Sequence, residues 1–266
     1  LELYKFSLEY EPSEIFQLEY NILFNSSDQS EVNDLTSIYG RLNNRVEENL
    51  DLTRTQTPKA LNQELKVYYT LNEDHIFSFE AQHLDQTEDP IGRAVRDRNP
   101  FLSLIPFDSN VKRYDISQNR FIETQKLEAK LDYFYLLNDQ SKINLSIGFS
   151  NFAKNYLSDF NQTLDDGTTK SFDDEQFNND VDFSFKDLYF ALNYRIRTGI
   201  FTIDPGLTLH FYDNKNTQLG QTFAKDISDI RPNLRVNMQF KKNENLRFTY
   251  RKNTQFTDVN NISEGY

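Results

Sequence analysis

The sequence contains no cysteine. A disulfide framework, a thiolate metal site and a cysteine nucleophile are therefore excluded. The chain also has no apolar run approaching the roughly 18 to 20 residues that a membrane-spanning helix needs, which excludes helical membrane proteins. That second absence leaves membrane β-barrels open, because their strands alternate in polarity and their mean hydropathy, here -0.72, looks like that of a soluble protein.

Acidic residues also outnumber basic ones. The chain has 29 Lys and Arg against 41 Asp and Glu, for a formal net charge of -12. Binding to a phosphate backbone relies on clustered basic residues, so nucleic acid is not an expected partner. The first residues, LELYKFSLEY, alternate like a strand and do not resemble a signal peptide, and the last, NNISEGY, include no closing strand. We expect the chain to be a portion of a longer protein.

Period-2 alternation of apolar and polar residues runs along the whole chain, and helical periodicity is nearly absent. In FQLEYNILF, residues 16–24, the large apolar side chains occupy one side of an extended chain, and Gln17, Glu19 and Asn21 occupy the other. The pattern predicts about ten strands in five hairpins, with apolar rows at residues 4–10, 16–24, 65–71, 77–81, 127–135, 143–149, 188–196, 201–211, 234–240 and 246–250.

The connections between these strands fall into two kinds. Five are short and polar, such as EPSE, NEDH and NDQSK. Between them lie stretches rich in Asn, Asp, Ser, Thr and Gln, at residues 25–60, 85–122, 152–185 and 213–230. Soluble domains rarely keep several loops longer than about 12 to 15 residues, whereas outer-membrane barrels have short periplasmic turns and long extracellular loops. We read these stretches as extracellular loops.

The predicted fold is therefore all-β: an antiparallel up-and-down transmembrane β-barrel in which residues 1–266 form a single domain, about ten strands of a larger barrel. The apolar rows would face lipid and the polar rows an aqueous lumen. The predicted lipid-facing residues are Phe16, Leu18, Tyr20, Ile22, Leu127, Leu131, Tyr133, Leu145, Ile147, Leu188, Phe190, Leu192, Leu209, Val236 and Phe248. A soluble antiparallel sheet with the same rows packed against a core is the alternative.

Residues 231–262, RPNLRVNMQFKKNENLRFTYRKNTQFTDVNNI, resemble the barrel of TonB-dependent receptors and related outer-membrane proteins of Bacteroidota. The shared features are a proline opening an alternating strand, a short Asn/Lys turn, an LRFTYR-like return strand and a Thr-containing segment. They fall on Pro232, Asn243, Asn245, Leu246, Tyr250, Arg251, Thr254 and Ile262. The hairpin YYTLNEDHIFSFEAQ is also similar to hairpins of that family. The sequence departs from the family at Thr257 and Asp258, where Pro-Ser is usual.

The resemblance implies a place in the middle of a barrel wall of about 22 strands, with a plug domain in the lumen and a TonB-contacting segment outside the present residues. It implies outer-membrane localisation, lipid and TonB as partners, and import of a nutrient whose identity is unspecified. A surface lipoprotein is a further partner that the resemblance allows. Two rival functions remain open: a soluble carbohydrate-binding module, and an outer-membrane barrel that transports nothing.

Candidate chemistry is sparse, and we expect neither an enzyme nor a bound cofactor. The acidic stretch 165–182, DDGTTKSFDDEQFNNDVD, could offer Ca²⁺ oxygen ligands but lacks EF-hand spacing, so a solvated loop is expected. His75, His83 and His210 have neither metal-ligand nor catalytic spacing. Four residues in DPIGRAVRDRNPF could contact a ligand, although ordinary ion pairs also explain them: Arg93, Arg96, Arg98 and Phe101.

Overall fold

The structure is a computed structural model that describes residues 1–40, 46–99, 107–172 and 180–256. Its strands are β1 (Glu2–Ser13), β2 (Phe16–Ser26), β3 (Gln29–Tyr39), β4 (Val46–Gln56), β5 (Lys59–Asn72), β6 (His75–Glu88), β7 (Ile91–Arg96), β8 (Tyr114–Asn138), β9 (Ser141–Thr163), β10 (Thr169–Ser171), β11 (Val181–Thr198), β12 (Phe201–Gln218), β13 (Gln221–Lys241) and β14 (Glu244–Arg251). Among the described residues, no helix has the length and apolarity needed to span a membrane.

Ten strands form one antiparallel up-and-down sheet in the order β1-β2-β5-β6-β8-β9-β11-β12-β13-β14. These ten are the strands that the alternation predicts, so the all-β up-and-down fold is confirmed. We call this set the main sheet. Within the described residues β1 and β14 are its edges, each paired on one side only.

Five two-residue turns join the main-sheet hairpins at one end of the sheet, as the short polar connections predict. Asparagine explains two of them. The Asn72 side-chain oxygen accepts hydrogen bonds from the backbone N–H groups of Asp74 and His75, both at 3.0 Å. Asn138 accepts one from the N–H of Gln140 at 2.9 Å. Such side-chain bonds mimic a backbone turn and reverse the chain within two residues.

Within the described residues, strands make up most of the long polar stretches, which corrects their interpretation as loops. The stretch 213–230 is the end of β12 and the start of β13, joined by a two-residue turn at Leu219 and Gly220. β8 and β9 likewise extend through much of 85–122 and 152–185, with lengths of 25 and 23 residues. These extensions mix polar and apolar residues on both faces, so they carry no regular amphipathic signal for a strand.

Residues 25–60 and 85–99 hold three further strands, β3, β4 and β7, which continue the paths of β2, β5 and β6. β3 pairs with β4, β4 with β7, and β7 with residues 114–119 of β8. β8 pairs in turn with β9, and β9 with β10. We call this assembly the distal sheet. The breaks between the two sheets fall at Pro58 and Pro90, because proline has no N–H to give to a ladder. The backbone carbonyls of the two prolines still accept hydrogen bonds: Pro58 from the N–H of Ser27 at 3.2 Å, and Pro90 from the N–H of Arg120 at 3.0 Å.

The small buried core lies on the distal sheet. Phe107, Ile116 and Phe172 are 5–7% exposed and pack together. Gln162, which has no exposed surface, anchors the chain beside them: its Oε1 accepts the N–H of Asp108 at 2.7 Å and its Nε2 donates to the Asp108 carbonyl at 2.9 Å. The segment that follows Phe107 is therefore fixed to the sheet.

The turn between β12 and β13 yields a stability prediction. Leu219 and Gly220 have φ values of 50° and 69°, the left-handed conformation that Asn and Gly tolerate and Leu does not. Changing Leu219→Asn is expected to stabilise the protein by about 1 kcal/mol, measured by urea unfolding in lipid vesicles. In the Gly199-Ile200 turn only Gly199 has a positive φ of 55°, so Ile200→Asn should give no such gain. Equal effects of the two changes would contradict this explanation.

Candidate functional site

Strand pairing gathers the apolar rows onto one face of the main sheet. Directly paired residues lie on the same face, and one such line runs Leu18, Val67, Phe79, Leu131, Ile147, Phe190, Leu209 and Ile230. All the residues predicted to face lipid lie on this face, which we call the apolar belt: Phe16, Leu18, Tyr20, Ile22, Leu127, Leu131, Tyr133, Leu145, Ile147, Leu188, Phe190, Leu192, Leu209, Val236 and Phe248.

The belt is uncovered. Leu131, Ile147 and Phe190 are 42, 41 and 43% exposed. A half-buried soluble sheet would cover such side chains with a second layer, because contiguous apolar patches beyond a few hundred Å² are rare on soluble monomers. No described residue supplies that layer. The soluble-sheet alternative therefore leaves this apolar surface in water.

The belt has a defined height. On β8 its apolar row covers residues 127–135, close to the roughly 9 to 11 residues with which a tilted strand crosses a bilayer. One step beyond, the same face becomes polar: Gln125 on β8, Asn151 on β9, Lys186 on β11 and Asp213 on β12. Lys186 Nζ lies 3.8 Å from an Asp213 carboxylate oxygen. The face thus changes character at the same level on neighbouring strands.

Aromatic rings follow the belt at the end with the short turns. The Phe77 ring lies 4.9 Å from Tyr133 and 6.5 Å from Tyr69, and His75 stacks on Tyr135 at 4.7 Å. His75 Nδ1 is also 2.7 Å from the Tyr133 hydroxyl. Rings with one polar tip suit the boundary between hydrocarbon and water. His75 therefore belongs to this aromatic row as well as to a turn.

The opposite face of the main sheet is polar and carries paired charges; we call it the polar face. Asp132 is only 3% exposed, and its carboxylate accepts hydrogen bonds from Lys130 at 2.7 Å and from the Ser146 hydroxyl. A buried carboxylate is tolerable only with such partners. Nearby, the Tyr189 ring lies directly over Gly148, where a Cβ atom would collide with it. The polar face is thus closely packed, and His210 joins it through Asp187 at 3.0 Å.

The chain beyond β14 folds back across the polar face. Lys252 Nζ lies 2.5 Å from the Asp229 carboxylate, which also accepts from Thr254 and, at 3.0 Å, from Arg231. Further along, the Phe256 ring packs 4.7 Å from the ring of Tyr212. The sequence did not predict this cluster: Thr254 was singled out only for the family resemblance, and Asp229, its partner, lies 25 residues away in the chain.

The arginines predicted as ligand contacts lie on or beside β7. Arg93 forms a two-pronged ion pair with Asp115 at 2.8 and 2.5 Å, and Arg96 donates to Glu48 at 3.1 and 2.5 Å. Arg98 is exposed, and Phe101 lies outside the described residues. Arg93 and Arg96 thus take part in the ion pairs that the sequence also allowed. Their contact with a ligand remains a prediction.

Arg113, which the sequence did not single out, ties the strands of the distal sheet together. Its guanidinium donates to Asp51 at 2.8 Å and Asp97 at 3.0 Å, and to the Val95 carbonyl at 3.0 Å. The hydrogen bond to Asp51 is the main cause that raises the pKa of Arg113 above its ordinary value. The hydrogen bond that the Asp97 carboxylate accepts from the backbone N–H of Asn49 is the main cause that lowers the pKa of Asp97.

The acidic stretch forms no metal site within the described part of the chain. Asp165 accepts the N–H of Lys112 at 3.2 Å, and Asp166 accepts the N–H and hydroxyl of Thr168 at 2.9 and 2.6 Å in a tight turn. No group of three His, Asp or Glu residues is arranged to hold a metal among the described residues. Asp173, Asp174 and Glu175 lie outside them.

Comparison with known proteins places the fold. No family model and no curated protein matches the sequence. The ferric-catecholate import receptor Fiu of E. coli K12 aligns with 94% of this chain in both its closed form (TM-score 0.54, 7% identity, 48% of the receptor) and its open form (TM-score 0.50, 8% identity, 52% of the receptor). The ferric yersiniabactin uptake receptor FyuA of Yersinia pestis aligns over 90% of this chain and 42% of its own, with a TM-score of 0.44 and 10% identity.

The chain therefore has the fold of an outer-membrane β-barrel: an all-β, antiparallel, up-and-down sheet. At 7–8% identity, the likeness to Fiu extends to the fold alone. This chain spans about half the length of the Fiu chains it matches.

The junction between the two sheets yields a pH prediction. The Thr57 hydroxyl and N–H both donate to Asp89, the latter at 2.5 Å, and the hydroxyl is the main cause that lowers the Asp89 pKa below 3.8. A carboxyl with a lowered folded-state pKa stabilises the fold above the unfolded-state value, and this stabilisation is lost as the pH falls through the folded-state pKa. Amide protection of β4 and β7 in hydrogen exchange should therefore decrease below about pH 4.

The variant Thr57→Val should raise the Asp89 pKa toward its ordinary value and flatten this acid dependence. Thr55→Val is the matched control, because Thr55 lies two residues earlier, on β4, and makes no side-chain hydrogen bond with a described residue. An unchanged acid dependence in Thr57→Val, or an equal effect of the control, would refute the role of Asp89.

Proposed function

We propose that this chain is part of the wall of an outer-membrane transporter of the TonB-dependent receptor type, which imports a nutrient through its lumen. One observation carries the proposal: an uncovered apolar belt crosses ten antiparallel strands, while the opposite face holds paired charges. A lipid-facing exterior and an aqueous interior require that division. The belt side chains, from Phe16 and Leu131 to Phe248, contact acyl chains in this proposal.

The two unpaired edges support a larger barrel. In hydrocarbon no water is present to hydrogen-bond the free N–H and C=O groups of β1 and β14, so each edge must be paired. We propose that further strands outside the present residues pair with these edges and enlarge the lumen enough for a plug domain. Residues 1–266 then belong to a single barrel domain.

The remaining partners follow from the same proposal. TonB would act on the plug and not on the wall, so the main sheet has a structural role and the chain catalyses no reaction. The distal sheet lies on the side away from the short turns, which places it outside the cell if those turns are periplasmic. We further propose that the distal sheet takes part in ligand selection and contacts a surface lipoprotein. We also propose that the protein belongs to the Bacteroidota family of receptors.

Lipid contact can be tested by placing an arginine at two heights on one strand. Ile147 and Leu157 lie on the same face of β9 with 41 and 49% exposure, but only Ile147 lies at the level of the belt. Ile147→Arg is expected to destabilise the protein in phospholipid vesicles by about 2 to 4 kcal/mol, and Leu157→Arg by about 0 to 1 kcal/mol. Equilibrium urea unfolding in vesicles measures both.

Equal costs at the two heights would contradict a belt in lipid. Fractionation of the intact protein is the companion measurement. It is expected to sediment with outer membranes and to migrate differently on a gel before and after heating. A monodisperse protein that remains soluble without detergent would instead favour a soluble sheet module and would overturn the proposal.

A further inference from the structure

The polar side of the distal sheet contains a cavity of about 410 Å³. We call it the distal groove. Its floor is made of paired residues on three neighbouring strands: Leu52, Ala94 and Ile116 form one row, and Arg54, Gly92 and Gln118 form the next. Leu50 and Phe160 extend the apolar part. The size lies within the roughly 300 to 1,000 Å³ of small-molecule sites.

The groove opens on the same side of the sheet as the polar face. Ile116 and Gln118 share the alternation of Glu128 and Lys130 on β8, and the register of β8 with β9 shifts only near Leu136, at the turn end. With the proposed function, on which this placement rests, the groove lies at the outer mouth of the lumen. A solute would meet it before it meets the main sheet.

The walls of the groove are fixed. Ile116 belongs to the buried core of the distal sheet, and Phe160 packs against that core. On the other side, Arg96 is held by Glu48, which is 5% exposed. Gly92 leaves the centre open, because a Cβ atom built there would meet nothing within 4 Å. The space is therefore a preformed depression.

Basic side chains outnumber acidic ones among the lining residues. Arg54, Arg93 and Arg96 line the groove together with Glu31, although the strand register directs the side chain of Arg93 to the opposite face of the sheet. Arg93 and Arg96 are engaged by Asp115 and Glu48. Arg54 makes no ion pair or hydrogen bond with a described residue. Its cross-strand neighbour Glu31 instead accepts a hydrogen bond from Asn33 at 2.9 Å.

A fourth arginine lies next to the lining residues along β8 without lining the groove itself. Arg120 follows Gln118 on the same side of β8, and its Nε is buried without a hydrogen-bond partner among the described residues. Buried donors without partners are uncommon in folded proteins and mark places where an acceptor is missing. Arginine binds carboxylates through paired N–H donors.

We propose that the distal groove binds an organic carboxylate with a flat apolar body. The carboxylate lies against Arg54, and the apolar body lies over Gly92 on the surface formed by Leu52, Ala94 and Ile116. The positive charge of Arg54 selects an anion, and the absence of a side chain at Gly92 leaves room for the apolar body. This site gives the proposed transporter a first contact for anionic solutes although the protein as a whole is acidic.

The test measures binding of two probes to the intact protein in zwitterionic lipid nanodiscs by equilibrium dialysis, with empty nanodiscs as the partition blank. The probes are biphenyl-4-carboxylate and its uncharged counterpart biphenyl-4-carboxamide. The wild type is expected to bind the carboxylate about fivefold more tightly, the size of a partly exposed charge pair. Arg54→Gln should abolish that preference and leave carboxamide binding unchanged.

Gly92→Leu should weaken binding of both probes by about tenfold, because it fills the groove without meeting other atoms. Lys225→Gln is the charge-matched control: Lys225 is exposed on β13, away from the groove, and the change should leave binding as in the wild type. Three results would each overturn the proposal: no saturable binding above the blank, equal affinity for both probes, or equal losses in Arg54→Gln and Lys225→Gln.

The dialysis result is independent of import. If Ile147→Arg and Leu157→Arg have equal costs in vesicles, the transporter proposal fails, but the dialysis experiment still tests carboxylate binding. If the carboxylate is not preferred over the carboxamide, the proposed binding site fails, but the transporter proposal stands.

Discussion

Backbone hydrogen bonding between long neighbouring strands is the constraint on which the rest of this structure depends. A ladder of ten antiparallel strands pairs each strand with neighbours on both sides over most of its length, except β1, β14 and the part of β13 that β14 does not reach. Because the ladder fixes which residues lie opposite one another, it also fixes which side chains share a face. The apolar belt and the polar face are therefore two consequences of one register.

That coupling explains how charged groups remain in a one-layer wall. Asp132 lies back to back with the apolar residues beside it in the chain, and Lys130 and Ser146 keep it paired on its own face. A slip of one residue would turn the carboxylate into the belt and Leu131 into the polar face. Both changes are unfavourable in any environment that distinguishes the two faces, so the register has little freedom.

Alternation in the sequence predicted the strands and the directions of their side chains where the two faces of a strand meet different surroundings, as at residues 127–135. Beyond the belt, polar and apolar residues are mixed on both faces of β8 and β9, so the alternation is lost although the strands continue. The turn at Leu219 was missed because leucine rarely occupies a left-handed position. The distal groove escaped notice because Arg54, Gly92 and Gln118 meet only through strand pairing.

The uninterrupted pairing of β12 with β13 up to their two-residue turn has a consequence for how such a wall can change in length. Adding one residue to each strand lifts the hairpin by about 3.4 Å but turns over every side chain above the insertion. Adding two residues to each strand restores the original orientation. Growth or shortening of this hairpin over evolutionary time should therefore favour even steps, with odd ones surviving only where a bulge absorbs the extra residue.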